Sequence, residues 1–182
     1  FTNKYPFSVF PSAFFTYKLT DKQDLQLNYS RKINRPNFFQ LIPAYDISDP
    51  LNLAIGNPNL VPEFTNLVEL AYQNQLTKNT SVLGTVYFRN TNDLITSYQY
   101  RALNPDPNGK PDTVLISTYA NANTSYTYGL ELNLRTKPAS WWDFNVNFNL
   151  FQSTLKAGAI TGGVTNSRTS WFSKINNNFK LP

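Results

Sequence analysis

Residues 142–152 alternate between apolar and polar side chains almost without interruption. Trp142, Phe144, Val146, Phe148 and Leu150 fall on one side; Asp143, Asn145, Asn147 and Asn149 fall on the other. A repeat of two is the side-chain period of a β-strand, because successive Cβ atoms point to opposite faces. One face of such a strand suits an apolar medium and the other suits water. The segment is also long. Strands of soluble proteins average about five or six residues, whereas a tilted strand crossing a bilayer needs roughly 9–11. Long amphipathic strands joined by connections that alternate short and long are the pattern of a membrane-spanning β-barrel.

Seven segments of this kind are read along the chain. They are 12–19, entered through Pro11; 24–34; 65–76; one that starts at Thr80 and extends as far as Tyr100; 113–135; 142–153; and 167–180. In the second, Leu25, Leu27, Tyr29 and Ile33 oppose Gln26, Asn28, Ser30 and Lys32. In the third, Val68, Leu70 and Tyr72 oppose Glu69 and Gln73. The connections at 20–23, 77–79 and 137–141 are short, and those at 35–64, 101–112 and 154–166 are long. In a meander, successive connections lie at opposite ends of the sheet. Outer-membrane barrels put short turns on the periplasmic side and long loops outside. A soluble Greek-key sandwich has no reason to keep that order. No helix of consequence is expected, beyond room for one turn within 46–54. The expected fold is all-β: an antiparallel up-and-down meander of about seven long strands, part of a transmembrane β-barrel. Residues 1–182 are expected to be a segment of one such barrel domain.

Composition narrows the chemistry. The 182 residues contain no Cys, His or Met, but 14 Phe, 11 Tyr and 3 Trp. Disulfides, thiolate metal sites and the commonest general base are therefore excluded. No stretch approaches the roughly 18 apolar residues of a membrane-crossing helix. The mean hydropathy of -0.40 counts little against a membrane, because barrel strands are only half apolar. The net charge of +5 comes from scattered Lys and Arg, so a solvated basic surface is expected and nucleic acid is not. The chain starts at Phe1 and is expected to be a mature or excised piece.

The eleven carboxylates form no acid/base couple. Glu69 and Glu131 read as solvated inner-face residues that pair with Arg or Lys. Asp46 and Asp49 lack the spacing of a calcium loop. Gly162-Gly163 reads as a loop tip and not as a phosphate cradle. No metal, no cofactor and no enzymatic activity is expected. Trp141 and Trp142 beside a short turn, Trp171 with Phe172 below a long loop, and Phe179 near the far end are candidate interface aromatics, with core packing as the alternative.

The first long connection carries the motif-like residues. Tyr29 to Pro36 reads Tyr-Ser-Arg-Lys-Ile-Asn-Arg-Pro and includes Arg35. Gly56-Asn57-Pro58-Asn59-Leu60-Val61-Pro62-Glu63 follows. Pro62 biases Val61 to an extended backbone, and Glu63 is placed to accept hydrogen bonds from backbone or arginine as the next strand begins. The residues themselves indicate a structural role.

The run Asn57 to Glu63, with Glu69-Leu70-Ala71-Tyr72 after it, resembles the barrel of TonB-dependent outer-membrane receptors. The run Tyr29 to Pro36 is similar to the Bacteroidota-type outer membrane protein beta-barrel subgroup. The resemblance covers essentially the whole chain. It implies a 22-stranded barrel with an N-terminal plug, in the outer membrane of a Gram-negative bacterium. Its implied partners are outer-membrane lipid, the TonB energy-transducing complex acting through the plug, and a scarce solute: a chelate, a glycan or a peptide. The plug, its energy-coupling box and the final barrel strands are not recognised in these 182 residues, so a partial wall is expected. The rival reading is a soluble or surface-attached β-sheet binding module, whose apolar stripes would pack against one another.

Overall fold

The computed structural model describes residues 8–105, 112–121, 124–156 and 165–180. In chain order its elements are β1 (Ser12–Thr20), β2 (Gln23–Asn34), α1 (Phe38–Leu41), β3 (Tyr45–Asp46), β4 (Asn52–Ile55), β5 (Glu63–Thr77) and β6 (Thr80–Asn92). Then come β7 (Ile95–Leu103), β8 (Thr113–Asn121), β9 (Thr124–Ala139), β10 (Trp142–Lys156) and β11 (Thr165–Phe179). Seven strands form one sheet in the order β1-β2-β5-β6-β9-β10-β11. Every pairing in it is antiparallel. It is the meander expected from the alternating connections. The sheet does not close on itself: β1 and β11 are its two edges.

The register explains why the sheet has two chemically different faces. Phe15 pairs with Leu27, Leu27 with Leu70, Leu70 with Val86, Val86 with Leu130, Leu130 with Leu150 and Leu150 with Trp171. One unbroken apolar row therefore crosses all seven strands. The adjacent row on the other face reads Thr16, Gln26, Ala71, Thr85, Glu131, Asn149 and Phe172. A slip of one residue anywhere would exchange the faces of every later strand.

The apolar band also drifts along the sheet. In β2 it is centred on Leu27, and in β10 on Val146. Leu27 lies in the register row of Leu150, four residues from Val146. The drift is about one residue per strand over four ladder steps. With a rise of about 3.3 Å per residue and a strand spacing of about 4.8 Å, a level band needs strands tilted by about 35°. That is the tilt of membrane barrels.

The apolar face is bare. Phe15 is 66% exposed, Val86 50% and Trp171 67%. The stripes do not pack against one another, as a self-contained module would require, and at about 25 cal/mol per Å² such a surface calls for an apolar medium. The true core lies beyond the long-connection end, in a second sheet of order β3-β4-β8-β7. There Leu53, Val114 and Ile116 are at most 2% exposed, with Ile55 and Ala102 packed against them.

This second sheet corrects the sequence reading in several places. The segment from Thr80 does not run straight to Tyr100. β6 stops at Asn92, and Asp93 takes a left-handed backbone with φ 57°, a conformation Asp tolerates better than most residues. β7 then departs into the second sheet. The segment 113–135 is likewise two strands, β8 and β9, that lie in different sheets. The connection 35–64 is not a plain loop, since it holds α1, β3 and β4. β4 pairs in parallel with β8, Leu53 opposite Ile116, so the first two long connections fuse into one structure. The helical turn is α1, capped by Asn37, whose Oδ1 accepts from Gln40 N at 2.9 Å. Within 46–54, Asp46 and Asp49 instead bind their own local backbone. The expected loop tips at 106–111 and at 157–164, Gly162-Gly163 included, lie outside the described residues.

A close approach in the large sheet explains one glycine. A Cβ on Gly129 would meet Leu150 O at 2.6 Å and the Tyr87 hydroxyl at 2.8 Å. Tyr87 lies across that gap and donates to Asn149 Oδ1 at 3.2 Å, so an aromatic ring covers the missing side chain.

The two faces give an expected outcome. Val86→Arg puts a charge in the middle of the bare apolar band and is expected to cost about 2–4 kcal/mol, whereas Thr85→Arg on the polar face costs under about 1 kcal/mol. Urea titration of the full natural chain folded in lipid vesicles measures both. Equal costs for the two variants would contradict the assignment of faces.

Candidate functional site

The motif residues of the first long connection meet where the second sheet joins the wall. Gly56 sits against the turn that follows α1. Its N–H donates to Ile42 O at 2.9 Å, and Asn57 N–H donates to Gln40 O at 2.7 Å. A Cβ at Gly56 would lie 2.5 Å from Ile42 O and 2.8 Å from Phe39 O, so backbone proximity demands glycine here. Asn57 opens a turn closed by Leu60 N→Asn57 O at 3.3 Å, with Pro58 inside it. The Asn57 side chain accepts from Asn59 N at 2.9 Å and donates to Tyr119 O of β8 at 2.9 Å. Leu60 is buried at 9%, and Pro62 leads directly into β5.

Glu63 is the buried anion of this junction, 8% exposed. Its Oε1 accepts from the backbone N–H of Ile95 at 2.6 Å, and Oε2 accepts from Asn34 Nδ2 at 2.9 Å. One carboxylate thus ties the top of β2 and the start of β7 to the start of β5. Its partners are a backbone amide and an asparagine, and not the arginine that was the other expectation. Arg35 and Pro36 lie on the short link between β2 and α1; Arg35 is exposed.

Asn121, which the sequence did not single out, completes the junction. Its Oδ1 accepts from Val61 N at 2.8 Å, while Nδ2 donates to Val61 O at 2.8 Å and to Asp93 O at 2.6 Å. The side chain pairs with Val61 as a neighbouring strand would, and holds the bend at Asp93 as well. The signal was in the sequence: Asn92-Asp93 and Asn121-Ala122-Asn123 are turn residues inside what read as continuous strands.

The polar face forms a wall of amides and hydroxyls. Glu131 Oε1 accepts from Asn147 Nδ2 at 2.7 Å and from Asn133 Nδ2 at 2.9 Å, and Asn147 also donates to Asn133 Oδ1 at 2.9 Å. The partners expected for Glu131 were Arg or Lys; here they are asparagines. Glu69 stands on the same face, in register between Asn28 and Tyr87. Charged side chains punctuate the wall at both ends. Lys32, Arg89 and Arg168 lie toward the long-connection end, both signs (Lys18, Asp24, Arg135 and Asp143) lie toward the short turns, and Glu131 stands at mid-strand. Near those turns an open polar cleft of about 330 Å³ is lined by Arg135, Asp143, Asn145, Asn176 and their neighbours. Lys137 Nζ reaches Asp143 Oδ1 at 3.2 Å beside it.

No group of three or more acidic side chains among the described residues is placed to hold a metal ion. Asp46 accepts from Ser48 N and Oγ, and Asp49 from Leu51 N and Asn52 Nδ2. These bonds hold both carboxyls below the usual range, as expected when hydrogen bonds favour the charged form.

A long-stranded meander with one bare apolar face, one amide-lined face and elaborated connections at one end is the wall of a membrane barrel. The family model described as "Outer membrane protein beta-barrel family" matches residues 1–182. The chain belongs to the outer membrane protein beta-barrel family. Membership places it in the Gram-negative outer membrane. Solved structures give the same architecture. The siderophore receptor PirA from Pseudomonas aeruginosa superposes with a TM-score of 0.62 at 18% identity, over 92% of this chain and 34% of that one. A variant of the ferric enterobactin receptor PfeA from Pseudomonas aeruginosa gives 0.60 at 16%, over 95% and 32%. The copper transporter OprC gives 0.50 at 12%, over 95% and 31%. At these identities the likeness is one of fold. The chain spans about a third of the length of these structures. No curated protein matches it in sequence.

With the family's orientation, short turns face the periplasm and the second sheet stands outside the cell. The candidate interface aromatics divide between the two ends. Trp141, Trp142 and Phe179 stack at the short-turn end, with ring centroids 6.0–6.2 Å apart. Phe144 meets Trp142 edge-on at 5.9 Å. Trp171 lies at the upper end of the band on β11, 6.2 Å from Phe148. Phe172, its sequence neighbour, faces the amide-lined wall, in register with Asn149.

Truncating Asn121 tests the junction. Asn121→Ala leaves the Val61 N–H and two carbonyls without partners, and is expected to destabilise the second sheet by about 2–3 kcal/mol. Hydrogen exchange is expected to accelerate roughly 30-fold or more at β8 amides while β5 and β6 stay protected. Equal acceleration in both sheets would show that they unfold as one unit.

Proposed function

We propose that this chain is a stretch of the barrel wall of a TonB-dependent receptor that imports a scarce solute too large for diffusion through open porins. The observation that carries the reading is the amide-lined inner face, Glu131-Asn133-Asn147-Asn149, set behind a continuous lipid-facing apolar row. A wall of this kind surrounds a polar lumen, and barrels of this size hold a plug in it. The fold shared with two siderophore receptors and a copper transporter supports uptake. The cations Lys32, Arg89 and Arg168 near the outer end suit a solute that presents acceptor oxygens, whether a chelate, a glycan or a peptide. The second sheet, held by Glu63, Asn121 and Gly56, forms an outer vestibule over that entrance. The motif residues are structural: they fix the vestibule to the wall and do not themselves contact solute. The TonB complex acts through a plug, and no chemistry is performed on the solute. The aromatic cluster of Trp141, Trp142 and Phe179 anchors the wall at the inner interface, as aromatic girdles do.

Deleting the gene and growing the strain with limiting iron, copper, a complex glycan or peptides as the scarce nutrient tests this reading. Growth on one of these is expected to fail and to return with the intact gene. It is not expected to return with a version lacking the plug. Unchanged growth and unchanged labelled-solute uptake on every nutrient class would remove the transport reading.

A further inference from the structure

The second sheet carries three tyrosines on one face. Tyr98 and Tyr100 belong to β7, and Tyr45 to β3, the opposite edge strand. We propose that Tyr45, Tyr98 and Tyr100 form a stacking platform for the rings of a neutral oligosaccharide. The inference rests on the transport reading and names the solute class within it.

Register comes first. Tyr100 pairs with Ile116, and Ile116 with Leu53. Tyr98 stands two residues before Tyr100, and Tyr45 pairs with Ile55, two residues beyond Leu53. Parity therefore puts all three tyrosines on the core face of the sheet. Leu53 and Ile116 are closed to water at 1%, whereas Tyr45 and Tyr100 are each 40% exposed. Tyrosines that served only to seal this core would be buried with it. The two edge strands lie three ladder steps, about 14 Å, apart.

Geometry comes second. The rings of Tyr98 and Tyr100 lie 6.0 Å apart between centroids, tilted by 30°. Burial raises the Tyr100 hydroxyl above its ordinary value, and its neighbours Tyr45 and Tyr98 raise it further. The three phenols are therefore close enough to interact across the sheet. None of their hydroxyls has a hydrogen-bond partner among the described residues. On the wall, by contrast, Tyr29, Tyr87 and Tyr128 donate to Asn66, Asn149 and Gln152.

Chemistry comes third. The strand residues of this sheet that carry a full charge, Asp46 and Arg101, lie by parity on the other face. An anionic chelate would find no cation on the platform. An organic cation would suit the tyrosine rings, but on its way inward it would meet Lys32, Arg89 and Arg168. A sugar ring needs neither charge. Its C–H face packs on an aromatic ring, and its hydroxyls exchange hydrogen bonds with free phenols. The amide-lined wall continues the same chemistry, because asparagine side chains both donate and accept.

The test titrates the full natural chain, purified in detergent, by isothermal calorimetry. The neutral probes are maltohexaose, cellohexaose, mannohexaose and xylohexaose; a ferric catecholate and a mixture of tetrapeptides represent the other classes. At least one hexasaccharide is expected to bind with a Kd below about 1 mM. Tyr100→Leu and, on the other edge strand, Tyr45→Leu are each expected to weaken that binding about tenfold. Tyr100→Phe keeps the ring and is expected to keep most of the affinity. Unchanged hydrogen exchange at β8 amides checks that each variant is folded. Three results would overturn the inference: no binding of any of the four sugars, full affinity in the folded leucine variants, or chelate or peptide binding that the leucine variants abolish. A sugar that binds but is not taken up by cells removes the transport reading and leaves the platform. Uptake of a solute that is indifferent to Tyr100→Leu does the reverse.

Discussion

Everything in the large sheet depends on parity being kept across its hydrogen-bonded ladder. A β-strand offers two faces and no third option. Phe15, Leu27, Leu70, Val86, Leu130, Leu150 and Trp171 share one face only because each pairing places apolar opposite apolar. The same ladder then fixes Thr85, Glu131 and Asn149 on the other face without any further information. In a bilayer the ladder has a second duty. No water is available to unpaired backbone groups there, so the wall must satisfy them strand to strand. The strands β1 and β11 are where this ladder ends among the described residues.

The second sheet obeys different physics. Its strands lie beyond the apolar band, and it has the only closely packed apolar core among the described residues, Leu53, Val114 and Ile116. It is assembled from two connections far apart in sequence, joined by the parallel pairing of β4 with β8. Holding that assembly on the wall falls to polar side chains, because backbone must turn sharply at the join. Glu63 receives a backbone N–H that the peeling of β7 would otherwise leave unpaired. Asn121 does the same for both polar groups of Val61. Glycine at position 56 allows two backbones to pass where a methyl group would collide. A buried carboxylate and a half-buried amide are tolerated here because their hydrogen bonds are made.

The strand count of the wall, its meander order and its two faces were legible from period-two alternation and from the order of connection lengths. The candidate site was legible only in part. The run Gly56 to Glu63 stood out by its prolines and glycine, yet nothing local identified Asn121 as its partner 60 residues away. The strand 113–135 read as continuous because β8 and β9 both alternate. Only the change of sheet between β8, which ends at Asn121, and β9, which begins at Thr124, separates them, and alternation carries no record of which sheet a strand joins. The segment from Thr80 to Tyr100 was overrun for the same reason. Glu131 was expected to face Arg or Lys. It met Asn133, two residues along its own strand, and Asn147, diagonally across on β10, because strand period and register, not charge, select the neighbours on a face.

The sequence by itself determined that this chain forms long amphipathic antiparallel strands with an apolar and a polar face, because side-chain period and turn chemistry are local properties of the backbone. It also determined that histidine and thiol chemistry play no part, because the residues are absent. Tertiary structure alone decided that the two first long connections form one sheet, and that Glu63 and Asn121 are its fasteners. Those outcomes depend on register and on pairing between distant segments, and a residue's own neighbours in sequence carry no information about either.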